Sequence, residues 1–307
     1  LARFCYAKEE DVLDEAARSL AVAAGPKGVL EQVARTSRAL LKSAGRGRAD
    51  LAGVGIGLPG PVEHSTGRPV LPPIMPGWDN YDVPGHVMAA LGGPVLVDND
   101  VNIMALGEHA TMYPHVEQML FVKVATGIGA GIISGGRLHR GAQGTAGDLG
   151  HVAALHGGDT RCTCGNLGCL EAVASGPAIV RALRERGVDL QDSSDLVRLA
   201  KAGDLAAATA IRDAGREIGH VLATCVSPLN PSVIVVGGRL AQSAESLLAG
   251  IREVVYGRSL PLATGDLQIV ASRTAGHAGV IGAATMVVQH VLSVEQVEHQ
   301  LAAAAAG

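Results

Sequence analysis

Residues 146–171 read AGDLGHVAALHGGDTRCTCGNLGCLE, and the placement of His151, Cys162, Cys164 and Cys169 within them organises the reading of the rest of the chain. One imidazole and three thiols make a tetrahedral donor set of the kind that closed structural zinc sites use. Gly165 and Gly168 lie between Cys164 and Cys169 and permit a tight knuckle on which thiolates can converge. A disulfide among the three cysteines leaves one over, and Cys162 and Cys164 are too near in sequence to bridge comfortably. Four protein donors leave no open position, so a zinc ion here is expected to be structural and to fix the flanking Asp148 and Glu171.

Composition narrows the class of protein. A chain of 307 residues suits one large domain or two ordinary ones, and with only 2% aromatic residues its core must come from Val, Leu, Ile and Ala. The net charge of −4 lacks the basic footprint of a nucleic-acid binder, so direct DNA contact is not expected of this chain. No apolar run is long enough to span a bilayer, and thiols devoted to metal suit a reducing compartment, which places the protein in the cytoplasm with no membrane partner.

Outward from the cysteines, hydrophobic periodicity predicts alternating strands and helices, and hence α/β lobes. Residues 1–22 read as a hairpin around a charged KEED turn, and residues 27–41 as a helix. LAGVGIG predicts a buried strand, followed by a Pro/Gly loop in which Gly60 lets main chain approach a ligand. The proline-rich stretch 68–84 predicts an ordered flap anchored by Ile74, Met75 and Trp78. In VDNDVN, Asp98, Asn99, Asp100 and Asn102 stand where a short strand gives way to a helix, the place where α/β sheets bind ligands. Asn bonds hydroxyls and Asp accepts a hydroxyl proton, which suits a polyol; equally, Asn99 or Asp100 is expected to cap the helix. The Gly-rich turn at 125–131 has no Walker lysine and runs into a strand, so neither a P-loop nor a dinucleotide-binding reading applies. Helices at 177–186, 204–226, 241–255 and 279–291, strands at PSVIVVGGRL and LQIVAS, and a final helix capped by Ser293 complete the pattern.

Five ordered segments, LPGPVEHSTGRP, VDNDVNIMALGE, ATGIGAG, GTAGDLGH and CTCGNLGCLEAVASG, resemble the ROK family of sugar kinases and sugar-responsive repressors over nearly the whole chain. The resemblance implies an actin-like (ribonuclease H-like) two-lobed ATPase fold with a structural zinc knuckle and the sugar in the cleft between lobes. The smaller lobe is expected over 1–98 plus 286–307 and the larger over 99–285. It further implies Gly60, Asn99, Asp100, Asp148, His151 and Glu171 as sugar ligands, with Asp100 the base if the chain is a kinase and His151 shared with zinc. Thr126, Gly127, Gly237 and Gly238 correspond to nucleotide-contacting loops.

Two departures shape the functional expectation. The family's Ala-Gly-Glu-x-Gly-His appears as AGDLGH, so Asp148 is one methylene shorter than the usual sugar-holding Glu. Of the kinases' Asp-x-Gly-Gly-Thr-x-x-Arg phosphate loop, Leu1-Ala2-Arg3 matches only the last three positions. The PPIMPGWDNYDVPGH loop, DVNIMALGEH and the VLSVEQVEHQL tail resemble the repressor branch. The expectation is therefore the sugar-binding effector domain of a regulator, touching DNA only through a winged helix-turn-helix upstream of this chain, and forming a homodimer or tetramer. The alternatives are an ATP- and Mg-dependent kinase of the glucokinase or N-acetylmannosamine kinase class, and a sugar-binding module with neither activity.

Overall fold

The computed structural model describes residues 2–8, 11–18, 20–274 and 276–305. The chain divides into two compact units: Leu1–Thr111 with Arg140–Thr145 and Gly276–Gly307, and Met112–His139 with Ala146–Ala275.

The first unit opens with an antiparallel hairpin, β1 (Ala2–Lys8) and β2 (Asp11–Arg18); the Glu9–Glu10 part of its expected KEED turn lies outside the described residues. Helix α1 (Pro26–Ser43) starts on a helix-compatible proline and buries Val29, Leu30, Ala34, Leu40 and Leu41 at helical spacing. Then come β3 (Val54–Leu58), the short antiparallel pair β4 (Val62–Glu63) and β5 (Arg68–Pro69), and α2 (Val83–Leu91), capped by Asp82. Strand β6 (Val95–Asn99) runs parallel to β3 in register Val54↔Val95 to Leu58↔Asn99, and α3 (Asp100–Met112) follows without a linker.

The flap between β5 and α2 is ordered, with a correction to its anchors. Met75 and Trp78 are buried and the Trp78 indole donates to the Val22 carbonyl at 2.9 Å, but Ile74 is 52% exposed. A tight Pro-rich turn can sink alternate side chains only on one side, and Ile74 falls on the other.

The second unit is built on a five-stranded sheet in the order β11-β10-β7-β8-β9. Its strands and helices, in chain order, are β7 (Gln118–Val124), β8 (Ile128–Ser134), β9 (Arg137–His139), α4 (Leu170–Ala174), α5 (Gly176–Glu185), α6 (Ser193–Lys201), α7 (Leu205–Leu229), β10 (Val233–Gly237), α8 (Ala244–Arg258), α9 (Pro261–Thr264) and β11 (Gln268–Ala271). β10 pairs in parallel with β7 and β11, and all five of its residues are buried, as expected for a strand covered on both faces. Val, Leu, Ile and Ala dominate this core, and Phe121 on β7 is fully buried.

Helix α6 is absent from the sequence reading, because its SSDLVRLAK pattern is short and half polar. Asp192 caps it, accepting from the Ser194 and Asp195 amides at 2.6 and 3.1 Å. The last elements, α10 (Ala278–Val291) and α11 (Val294–Ala305), return to the first unit. Ser293 Oγ accepts from the Gln296 amide at 3.4 Å, the expected cap. Among the described residues no helix is long and apolar enough to cross a membrane.

Candidate functional site

In the first unit the polar residues of VDNDVN form a locked turn. Asn99 Oδ1 accepts from the Val101 and Asn102 amides at 2.8 and 3.4 Å, so Asn99 caps α3 as the bland reading expects. Its Nδ2 donates to the Gly60 carbonyl at 2.8 Å, joining the two predicted ligand loops directly. Gly60 has φ +100°, and a Cβ there would press on Pro72 at 3.4 Å, so the flap, this loop and Asn99 form one packed stack.

Beneath the turn lies Asp98, which the sequence placed in the ligand cluster and which the structure buries as its support. Asp98 is 2% exposed; its Oδ1 accepts from the Asn99 amide and from Asn102 Nδ2 at 2.7 and 2.8 Å. Its Oδ2 accepts from Arg140 Nε at 2.7 Å, and His64 Nδ1 stands 3.8 Å away. Burial and the Arg140 charge hold the His64 pKa below the ordinary imidazole value, with Asp98 pulling the other way. A buried charge needs a partner, and Arg140 supplies it. Nothing in RLHRGAQG distinguishes Arg140 from a surface arginine, because its partner lies 42 positions away in the chain.

In the second unit the cysteine segment folds into a knuckle. Cys162 N–H donates to the Asn166 carbonyl at 2.9 Å and Gly165 N–H to the Cys162 carbonyl at 3.1 Å, and Gly165 and Gly168 take the positive φ values of +93° and +69° that the turn needs. The three cysteines are unbridged. The donor atoms of His151, Cys162, Cys164 and Cys169 all lie within 4.8 Å of one another. Cys162 Sγ is 3.7 Å from His151 Nδ1 and Cys164 Sγ is 3.6 Å from Cys169 Sγ. Tetrahedral zinc with bonds of about 2.3 Å to sulfur and about 2.0 Å to nitrogen has edges of roughly 3.6–3.8 Å, so the donor set fits such an ion. Burial, and then hydrogen bonding with Cys164 and Cys162, pushes the Cys169 thiol up to about 12, which a nearby cation would reverse.

Glu171 ties the knuckle to the Gly-rich turn. It sits in the first turn of α4, its N–H donates to the Gly150 carbonyl at 2.9 Å, and its Oε2 accepts from the Ile128 amide at 3.1 Å. A Cβ on Gly127 would come within 2.5 Å of that carboxylate oxygen, so glycine is required there for Glu171 to reach the turn. The Ile128 amide is thereby engaged and does not face a ligand. Asp148 is exposed and makes no hydrogen bond or ion pair among the described residues, leaving its carboxylate available to a ligand.

Gly237 and Gly238 close β10 against β7. A Cβ at Gly237 would meet the Phe121 ring at 2.5 Å, and Gly238 has φ +91° with the Val124 carbonyl 2.5 Å from where a Cβ would lie. Packing alone demands both glycines, whether or not a ligand approaches. Thr126 lines a cavity of about 430 Å³ with Arg181, Arg184, Gln191, Asp192 and Ser193. Arg239, next after the glycines, donates to Ser194 Oγ at 2.6 Å and ties this loop to α6.

The two α/β units, the Cys₃His knuckle and the Asp-Asn-Asp strand end define the structural class of the chain. The chain belongs to the ROK family, whose profile matches residues 11–290. It is 31% identical over 292 residues to a putative xylose repressor from Caldicellulosiruptor sp. (strain Rt8B.4), covering 90% of this chain and 73% of that protein. The ROK hexokinase from Thermus thermophilus superposes with a TM-score of 0.74 at 32% identity over 92% of each chain. A ROK family transcriptional regulator, homologous to the E. coli MLC protein, superposes with a TM-score of 0.79 at 29% identity over 91% of this chain and 72% of that one. The chain thus shares the mixed α/β fold of both kinases and regulators of the family.

Proposed function

We propose that the chain binds a monosaccharide as the effector domain of a sugar-responsive transcriptional regulator. The observation that carries sugar binding is the Asn99–Asp100 turn, locked from below by Asp98 and Arg140 and from the side by Gly60. Gly60, Asn99 and Asp100 serve as sugar ligands in the first unit. Zinc on His151, Cys162, Cys164 and Cys169 is structural; it holds the segment that carries Glu171. Support for the regulator reading comes from the resemblance of the PPIMPGWDNYDVPGH loop and the VLSVEQVEHQL tail to the repressor branch and from the likeness to a putative xylose repressor at 31% identity, while a ROK hexokinase at 32% identity supports the kinase alternative equally well. The active species is a homodimer or tetramer.

One observation favours a kinase as the second reading. Thr126 lines a 430 Å³ cavity in the unit that carries Gly127, Gly237 and Gly238, space enough for a nucleotide base. In that reading Asp100 is the base that deprotonates the sugar hydroxyl, and Mg-ATP is the second substrate. A coupled assay for ADP release, run with Mg-ATP and a panel of pentoses, hexoses and N-acetylhexosamines, separates the two. The regulator reading expects no sugar-dependent ADP; turnover abolished in Asp100→Asn would establish the kinase.

A further inference from the structure

Charge in this chain is unevenly placed. Residues 18–48 hold Arg18, Lys27, Arg35, Arg38, Lys42, Arg46 and Arg48 against the single acid Glu31, although the chain as a whole carries −4. Lys27, Arg35, Arg38 and Lys42 recur at helical spacing on α1, and at about 100° per residue they occupy an arc of roughly 80° along the exposed edge that borders the buried side. All seven basic side chains are exposed. Two of them are oriented by the end of α2: Arg38 Nη2 donates to the Ala90 carbonyl at 3.1 Å and Arg48 Nε to the Leu91 carbonyl at 2.9 Å, contacts that leave their charge uncompensated. Glu31 lies 4.0 Å from Arg35 and is the one acid on this stripe.

Beside the stripe, a groove of about 420 Å³ runs between β2 and α1. Arg18 and Arg35 flank it, and Thr36 and Ser43 line it with hydroxyl donors. The carboxylate in the groove, Glu15, accepts from His277 Nε2 at 2.9 Å and so is already engaged. Cations with hydroxyl donors in a concave strip are the chemistry that phosphate oxygens select.

We infer that the exposed face of α1, with the groove against β2, is a contact surface for the phosphate backbone of duplex DNA. The net charge of the chain hides it, because only Glu31 among the acids lies between Arg18 and Arg48. The surface carries no base-reading geometry, so its contribution is independent of sequence, adding affinity and orientation to recognition made by another domain. Its biological use rests on the regulator reading; the surface itself does not.

The test uses the 307-residue chain without sugar or ATP. Binding to a fluorescent 20-base-pair duplex of arbitrary sequence is followed by anisotropy between about 20 and 200 mM salt, where each phosphate contact contributes a slope near 0.9 in log K against log salt. The expected result is binding at low salt with a slope of about 3 or more, and an Arg35→Gln, Lys42→Gln, Arg46→Gln triple variant that binds at least tenfold more weakly with a slope reduced by about 2–3. The three side chains are exposed, so the variant should keep the wild-type unfolding midpoint; Lys42→Glu alone gives a second, milder arm. No duplex binding by the wild-type chain at about 20 mM salt, or a triple variant with unchanged slope, would overturn the inference. Preferential capture by phosphatidylserine vesicles over duplex would also overturn it and assign the face to a membrane surface. Sugar-dependent ADP release would sink the regulator reading and leave the anisotropy result standing.

Discussion

Asp98 is the residue on which the Asn99–Asp100 turn depends. It receives two hydrogen bonds from the turn above and one from Arg140, and its side chain is 3% exposed. Removing Arg140 leaves that carboxylate buried without a counter-charge, an arrangement that typically costs about 3–5 kcal/mol. Arg140→Met should therefore lower the denaturant midpoint sharply, and adding Asp98→Asn should recover part of the loss, since Asn keeps an acceptor for the Asn99 amide. A single variant as stable as the wild type would show that the pair contributes nothing. From sequence Asn99 was expected as a cap or as a ligand, and the structure shows the cap together with a link to Gly60. Arg140 and His64 were not legible, because local sequence carries no record of a partner brought in by tertiary packing.

At the scale of elements, the knuckle was the clearest prediction, since His151, Cys162, Cys164 and Cys169 announce themselves by chemistry and need no long-range information. What the sequence could not show is that Glu171, in the helix begun by Cys169, accepts from Ile128 on the Gly-rich turn 43 positions earlier. That bond makes the knuckle a support for the turn and not an isolated ornament. The purified chain should contain about one zinc, and Cys164→Ser or a strong chelator should release it with loss of protection in residues 150–171, read by hydrogen exchange. Wild-type protein purified without chelator and containing no metal would refute this. Strong hydrophobic runs such as VIVVG and the long amphipathic α7 were placed correctly. The short α6 escaped, since only Leu196 and Val197 of its nine residues are fully buried, too few to stand out in sequence.

For the whole molecule, composition set the right limits on the core, with Val, Leu, Ile and Ala filling it, but net charge was a poor guide to surface chemistry. A total of −4 coexists with seven basic residues gathered between Arg18 and Arg48, and only folding shows four of them on one side of α1. Membership of the ROK family was legible because five motifs occur in order; the choice between regulator and kinase was not, because relatives of both kinds match the chain at similar identity and share its fold. The claim common to both is that the strand-end turn binds a sugar. Calorimetric titration of the chain with xylose, glucose, N-acetylglucosamine and N-acetylmannosamine tests it most directly. At least one should bind saturably to the wild type, and Asp100→Asn should weaken that sugar by tenfold or more, about 1.4 kcal/mol, while leaving the unfolding midpoint in place. A chain that binds none of them, or an Asp100→Asn variant that binds as tightly as the wild type, would contradict the account.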